Sequence, residues 1–469
     1  MTTSGKRAFV APVIVGMTFF MIGADKTIVA TALPAMAESF GVYPVDLGIT
    51  VVAYIISIGA FLPITGWLAD RFGAQAMFAT AIIVFGIGSI FCSFSNSVFE
   101  LTMSRVLQGL GASMIFPVGR MIALHDIPKE RYIRAMVIVS LFPALGFVMG
   151  PSIGGFITTF ASWRWIFYVN IPVALMCLLL IWVFVDNFKK EQKRPLDWGG
   201  FILTALAVCF IMYGVEGIGR GGSNFWLAVG LLAIGMVFVY FTVRHSRRHP
   251  HPLIELSLLN LLTLRKCVVA GTVFRISIGG LPFLLPLLFQ VVFGMSAFES
   301  GLILIALGAG VFTVRLFVEK FLKTFGFRNC LLGNTLVFTV CLILCTFVRE
   351  TTPTPFVAAL LYVIGMNQGF QFTTLTTMAY TEVPQERMGR ATPFVQMFQQ
   401  ASQGLGVALA ACLLHIGLGL RDTQVLAQSD FTIALLFLAG MNIFVFFSFF
   451  QMPPTVGGEI SGHSPKAKV

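Results

Sequence analysis

Recurring runs of about 20 apolar residues, nearly free of charge, dominate this chain of 469 residues. A helix of that length crosses the hydrocarbon core of a bilayer, where the backbone must satisfy its own hydrogen bonds. We therefore predict an all-α integral membrane protein with fourteen spans. They cover residues 9–32, 47–68, 75–94, 99–124, 134–159, 164–186, 198–218, 224–244, 267–293, 299–319, 328–348, 354–380, 391–418 and 431–451.

Composition and charge placement support a membrane protein. Apolar residues make up 57% of the chain and charged residues only 11%, whereas soluble proteins average about 25% charged residues. Of the 31 Lys and Arg, 22 fall in the termini and even-numbered connections, four in odd-numbered connections and five within spans. This asymmetry follows the positive-inside rule and predicts that both termini are cytoplasmic. The net charge of +11 is thus a topology signal, and we expect a lipid bilayer and no nucleic acid as partner.

An internal repeat indicates a duplicated bundle. Residues 126–135 read DIPKERYIRA and residues 382–391 read EVPQERMGRA, with five of ten positions identical. The copies follow spans 4 and 12, so two spans are inserted between two six-helix halves, as in transporters with parallel repeats. The predicted division is a bundle over 1–186, an inserted pair over 187–266, a second bundle over 267–452 and a disordered cytoplasmic tail over 453–469.

Ionisable residues lie inside the first and fourth spans. Asp25 and Lys26 are adjacent in span 1, and Arg105 lies in span 4. A charge at mid-membrane costs about 2.5–3.5 kcal/mol on insertion scales, so such residues face a bundle interior and mark a functional site. We expect Arg105 to pair with Asp25 or with carbonyls of span 1. The alternative is an arginine that snorkels to the interface.

Two glycine-containing motifs indicate close or mobile helix contacts. Gly66, Asp70, Arg71 and Gly73 surround the cytoplasmic loop after span 2, where we expect close helix approach at Gly66 and a charged latch that forms in one conformation. The alternative is a solvated turn. In span 5, small residues at intervals of four permit tight packing, and a proline removes a backbone donor; this motif comprises Gly146, Gly150, Pro151, Gly154 and Gly155.

Together these segments resemble the major facilitator superfamily, and more narrowly its fourteen-helix drug:proton antiporter branch. The resemblance also rests on Gln108, Gly109 and Gly111 after Arg105, and on the run from Trp163 to Pro172. The run from Pro117 to Arg120 resembles a group near the multidrug-resistance protein D type. The resemblance implies that Asp25 and Arg105 serve proton coupling and that the span 5 motif marks an antiporter. Lys26 departs from the family, which usually has an uncharged residue there.

Polar side chains in several spans suggest a substrate cavity. In lipid, unpaired amides are costly, so the amides of spans 12 and 13 must face either a cavity or a helix interface. Pro282 and Pro286 predict a broken span 9. Because the deep charges lean basic, we expect an anionic, zwitterionic or amphipathic neutral substrate; the alternative is that the arginines are structural. The candidate cavity residues are Lys26, Arg120, Arg275, Gln368, Gln371, Gln396, Gln399 and Gln403.

The leading functional prediction is a proton-coupled secondary exporter, an antiporter for drugs, organic anions or metabolites in the bacterial inner membrane. An importer or facilitator for an organic anion is the alternative, and a membrane-embedded enzyme ranks below both. A primary pump would need a phosphate-cradling G-x-x-x-x-G-K-[ST] loop, which the chain lacks. The six histidines show no ligand spacing with cysteines or carboxylates, and the stretch around His249 and His251 suggests a solvated loop. We therefore expect no enzyme activity, cofactor or metal, and a monomer.

Overall fold

The computed structural model describes residues 3–125, 132–188, 196–220, 225–250, 252–384, 387–423 and 425–453. Over these residues the chain forms long helices joined by short connections, with no β-strand. Most of the first repeat copy, part of the second and the tail from 454 lie outside the described residues. In chain order the helices are α1 (Thr3–Phe40), α2 (Pro44–Phe72), α3 (Ala74–Phe94), α4 (Val98–His125), α5 (Tyr132–Phe160), α6 (Trp165–Phe184), α7 (Trp198–Arg220), α8 (Phe225–Arg248), α9 (Leu262–Val292), α10 (Ala297–Val314), α11 (Val318–Cys345), α12 (Thr354–Ala379), α13 (Met388–Leu420) and α14 (Gln428–Phe450).

The predicted fold class and order of spans are confirmed. Thirteen helices in the described residues are long and apolar enough to cross a membrane. The remaining one, α12, has 26 residues, and its amides and threonines lower its mean hydropathy. Many large apolar side chains are exposed, including Trp182, Trp226 and Phe347, as expected where a helix faces lipid.

Two helices differ in detail from simple spans. α1 continues past Pro34, where the sequence predicted an end near residue 32, and stops only at Gly41, whose φ of +66° closes the helix. Pro34 removes a single backbone donor, which a long packed helix tolerates. α9 is interrupted at Gly280 and finishes in a π-helical turn, Leu288–Val292. The break predicted from Pro282 and Pro286 is therefore confirmed.

The chain divides into two compact units. The first contains Met1–Gly214, Gly230–Leu253 and Met295–Leu302, and within it α1 packs on α5 while α4 packs on α2 and α3. The second contains Val215–Val229, Ile254–Gly294 and Ile303–Val469, and within it α9 packs on α13 and α11 packs on α12 and α14. The division into two bundles and an inserted pair stays a prediction.

Candidate functional site

The glycine motif of α5 fixes the position of α1. A Cβ atom added at Gly146, Gly150 or Gly154 would lie closer than 3.0 Å to atoms of α1, so the two backbones are in direct contact. The atoms met belong to Phe20, Thr27 and Thr31, among others. The close packing predicted from the spacing is confirmed, and it holds α1 at one depth and rotation. Gly155, at the end of the motif, contacts the backbone of Ala297.

The charged residues of α1 and α4 meet inside the first unit. Arg105 Nη1 lies 2.8 Å from Asp25 Oδ2, and each residue is only 1% exposed. The predicted contact is confirmed, and the snorkelling alternative for Arg105 is wrong. Breaking such a buried pair by removing one partner typically costs about 3–5 kcal/mol. Loss of either side chain would therefore leave the other as an unpaired buried charge and destabilise the protein.

Gln108 joins the ion pair into a network. Its side-chain NH₂ donates to Asp25 Oδ1 at 3.0 Å and to Ser89 Oγ at 2.7 Å, while its oxygen accepts from Arg105 Nη1 at 2.6 Å. Asn170 Nδ2 donates to Asp25 Oδ1 and to Ser89 Oγ, each at 3.3 Å. The Asp25 carboxylate thus receives an arginine and two amide donors in a site shielded from solvent.

The ring of Tyr54 covers the guanidinium of Arg105. The Arg105 Cζ atom lies 3.9 Å from the ring centroid, which is close for a cation–π contact. Arg105 is consequently bounded by an aromatic face, a carboxylate and an amide. The carboxylate, the guanidinium and the amides therefore form one connected polar network, in which each bond depends on the others.

The sequence did not identify Tyr54, Ser89 and Asn170 as members of this network. Each is a polar residue within or beside an apolar run, and many polar residues in such positions have no part in a functional site. Asn170 belongs to the tryptophan-containing run noted above, where Trp163 packs edge-on against Phe40 at 5.4 Å. This contact between Trp163 and Phe40 holds the segment that begins at Asn170 in α6 against α1.

The first-unit residues assigned to the cavity and latch differ in burial and in their neighbours. Lys26 is half-buried with its Nζ 5.8 Å from the Phe116 ring centroid, so it serves a different neighbour from Asp25, and Arg120 is exposed. Arg71 stacks over the Trp67 ring at 5.2 Å. The remaining latch residues lie around the same turn: Gly66, Asp70 and Gly73.

The two glycines of the loop differ in their roles. Gly73 has φ +101°, and an added Cβ would collide with Asn187. In the part of the chain that is described, a Cβ at Gly66 would meet no atom within 4 Å. The close helix approach predicted at Gly66 is therefore wrong, whereas a latch role for the motif stays a prediction.

The second unit contains a buried arginine that is incompletely satisfied. Arg275 is 5% exposed, and its Nη1 donates to the carbonyl of Cys267 at 3.4 Å. Among the described residues its Nε and Nη2 have no hydrogen-bond partner. A guanidinium with bare N–H groups can bind a carboxylate or phosphate. Arg275 is thus the cavity candidate with the clearest unmet hydrogen-bonding capacity.

Of the predicted cavity amides in α12 and α13, two are buried in helix interfaces and three are half-buried. Gln371 is fully buried and bonds to Asn334 and Thr335 of α11, and Gln399 is buried with its amide on Thr376. These two fill helix interfaces, which is the alternative that the sequence left open. The others are half-buried, and their place in a substrate cavity stays a prediction: Gln368, Gln396 and Gln403.

Histidines and a carboxylate come together at the end of α8, contrary to the prediction from spacing. His245 Nε2 lies 2.7 Å from Asp197 Oδ1, and the His249 ring stacks on the His245 ring. His249 is half-buried, so the expected solvated loop is wrong at this residue. Spacing along the sequence could not predict this cluster, because Asp197 precedes α7 whereas the histidines lie at the end of α8. His251 lies outside the described residues.

Comparison with known proteins identifies the family. The family model described as Major Facilitator Superfamily matches residues 15–219 and 196–407. The chain is 32% identical over 446 residues to the putative multidrug resistance protein MdtD of Escherichia coli O157:H7, covering 92% of this chain and 93% of that protein.

Solved transporters share the fold at low sequence identity. The POT family transporter PepTSo has a TM-score of 0.68 at 13% identity, covering 94% of this chain and 97% of that one. A D-xylose-proton symporter has a TM-score of 0.66 at 14% identity, covering 96% and 99%. These likenesses and the family match agree with the resemblance drawn from the motifs, and the chain therefore belongs to the major facilitator superfamily.

Proposed function

We propose that this chain is a proton-coupled antiporter that exports small molecules. The observation that carries the proposal is the buried Asp25 carboxylate, held by Arg105, Gln108 and Asn170 inside the first unit. An intramembrane ionisable residue with a named partner is a functional site by default. The similarity to a putative multidrug resistance protein supports export of drug-like compounds.

Protonation of Asp25 provides the coupling step. The neutral acid attracts Arg105 far less than the carboxylate does, and it offers fewer acceptor sites to Gln108 and Asn170. Proton entry therefore loosens the network and shifts the balance between two conformations, as a differential interaction must. A charge that crosses the membrane gains about 2.3 kcal/mol per 100 mV, which supplies the driving force for export.

The distribution of basic residues indicates the orientation of the protein in the membrane. With 22 basic residues in the termini and even-numbered connections, the positive-inside rule supports cytoplasmic termini, and the similarity to a protein of Escherichia coli supports a bacterial inner membrane. Export would then run from the cytoplasm outward, against proton entry. We propose a monomer as the transporting unit.

The partners of the buried charges support an anionic or zwitterionic substrate. Among the described residues four acidic side chains are buried, and three of them have a basic partner: Asp25 with Arg105, Asp197 with His245 and Asp430 with Arg421; the fourth is Glu216. Arg275 instead retains two nitrogens that have no hydrogen-bond partner in the described part of the chain. A spare buried cation attracts a carboxylate, sulfonate or phosphate and repels a quaternary ammonium ion.

Transport by everted membrane vesicles tests the function. Vesicles containing the protein, with an imposed inside-acid pH gradient, should accumulate the amphipathic anion taurocholate faster than vesicles without it. Substrate addition should also dissipate the gradient. Accumulation that ignores the pH gradient would contradict antiport. Transport of tetraphenylphosphonium with no transport of any anion in a panel would contradict the substrate class alone.

Arg275→Gln is expected to reduce anion transport selectively. Glutamine keeps hydrogen-bonding groups but loses the charge, so the rate for an anionic substrate should fall by about tenfold or more, and a tenfold loss corresponds to about 1.4 kcal/mol. Lys323→Gln, which alters an exposed lysine of α11, is the matched control and should leave the rate unchanged. Equal rates in the two variants would remove Arg275 from the substrate site.

A further inference from the structure

A cluster of one carboxylate and two imidazoles lies where α7 begins and α8 ends. The ligand atoms of Asp197, His245 and His249 all fall within 4.8 Å of one another. His245 lies in the last turn of α8 and His249 directly follows the helix, with its N–H bonded to the His245 carbonyl at 2.9 Å, so the two rings lie one turn apart, with centroids 5.1 Å apart at an angle of 26°. Histidines at i and i+4 are a common way for one helix to present two nitrogens to zinc.

We propose that Asp197, His245 and His249 form a binding site for a divalent transition metal ion, with Zn²⁺ the best match. Imidazole nitrogen and carboxylate oxygen are ordinary zinc ligands, at about 2.0–2.2 Å from the ion. Three protein ligands leave one position of a tetrahedral ion for water. To reach this geometry both half-buried rings must rotate: His245 Nε2 must move away from Asp197 Oδ1, since their 2.7 Å hydrogen bond is shorter than the spacing of two ligands on one zinc ion, and the His249 ring must move toward the ion.

The carboxylate is oriented before any ion arrives. Asp197 Oδ1 accepts the N–H of Gly200 at 2.8 Å, and Oδ2 accepts the N–H of Leu253 at 3.1 Å. Burial raises the pKa of Asp197, but these two N–H groups and His245 outweigh burial and hold the pKa below its ordinary value. Hydrogen bonds of this kind to a metal-binding carboxylate fix its direction and support binding.

Solvent access and the neighbouring charges determine how tightly the site should bind Zn²⁺. Asp197 is buried but the His245 side chain is 29% exposed, so an ion can enter from the aqueous side. The exposed Arg244, Arg247 and Arg248 lie on the same end of α8 and oppose a cation. We therefore expect micromolar rather than nanomolar affinity. The bound ion would fasten the start of α7 to the end of α8.

The competing explanation is that Asp197 only caps the N-terminus of α7, with its Oδ1 accepting the N–H of Gly200. Substitution of a histidine distinguishes a zinc site from such a cap. Capping of α7 needs Asp197, and its hydrogen bond to an imidazole needs His245, but the cap does not need His249. His249→Gln therefore keeps the cap while removing one ligand. A zinc site predicts an effect of this substitution on metal binding, and a cap predicts none.

Zinc titration of the purified full chain tests the site. The protein, carrying a purification tag without histidine, is titrated with Zn²⁺ against a chromophoric chelator. We expect one Zn²⁺ per wild-type chain and an affinity lower by about tenfold or more in His249→Gln. His415→Gln changes a histidine of α13 that bonds the carbonyl of Ala411 and should bind as wild type does.

Thermal unfolding gives a second readout. Zn²⁺ should raise the Tm of the wild type and of His415→Gln, because an ion that binds only the folded state stabilises it, and should leave the Tm of His249→Gln nearly unchanged. Absence of stoichiometric binding by the wild type, or equal affinity in His249→Gln, would overturn the proposal. Neither result bears on antiport, which depends on Asp25.

Discussion

Asp25→Asn is expected to abolish pH-driven transport, to the level of vesicles that lack the protein, while the protein still inserts into the membrane. Asparagine has the size of aspartate and can still accept hydrogen bonds from Gln108 and Asn170, but it cannot carry a proton. The measurement is substrate accumulation by everted vesicles under an imposed pH gradient, normalised to protein abundance. Glu38→Gln alters an exposed acidic residue near the end of the same helix and should transport normally.

A double variant separates loss of coupling from loss of folding. Asp25→Asn leaves the buried Arg105 without its counter-ion, at a typical cost of about 3–5 kcal/mol. Combining it with Arg105→Gln removes both charges, so the double variant should unfold at a higher temperature than Asp25→Asn and remain inactive. Recovery of pH-driven transport in the double variant would show that the pair is structural only.

Gly146→Ala is expected to destabilise the first unit and to impair transport. The added methyl would lie closer than 3.0 Å to the backbone oxygen of Phe20 and the backbone nitrogen of Ala24, and neither atom can move without moving α1. Overpacking of this kind typically costs about 1–3 kcal/mol. Because α1 carries Asp25, the same displacement changes the position of the carboxylate relative to Arg105. Thermal unfolding in detergent and vesicle transport should both report the loss.

Gly230→Ala is the matched control for that prediction. This glycine is also within a helix, α8, but an added Cβ would meet no atom within 4 Å in the described residues. Alanine is the better helix former by about 1 kcal/mol, so Tm and transport should be unchanged or slightly raised. If Gly146→Ala behaved as Gly230→Ala does, the close contact between α1 and α5 would not matter for stability or function.

Hydropathy and charge were sufficient to predict the spans, and they offered Asp25 or the carbonyls of span 1 as the partner of Arg105. Each span must satisfy its backbone in lipid, so its length and composition are constrained residue by residue. A charge such as Arg105 in an apolar run needs a partner, and Asp25 was the nearest acidic candidate in another span. The end of α1 was harder to predict, because whether Pro34 stops a helix depends on the packing around it.

Partners and interfaces could not be predicted from the sequence. Ser89 and Asn170 carry small polar groups that a helix can satisfy internally, so nothing in the sequence distinguishes their role in the network. Gln371 pairs with α11 rather than facing a cavity, and only the packing of α12 decides this. Asp197 and His245 are 48 residues apart in sequence, so only the arrangement of α7 and α8 brings them together.

Proton release on substrate binding is the most direct test of coupling through Asp25. Purified protein in weakly buffered detergent solution is mixed with the most active compound from the transport panel, and the pH of the solution is recorded. Wild-type protein should release about one proton per substrate bound, because binding and protonation are linked, and Asp25→Asn should release none. Equal proton release by the wild type and Asp25→Asn, or none by a wild type that binds the compound, would contradict coupling through this carboxylate.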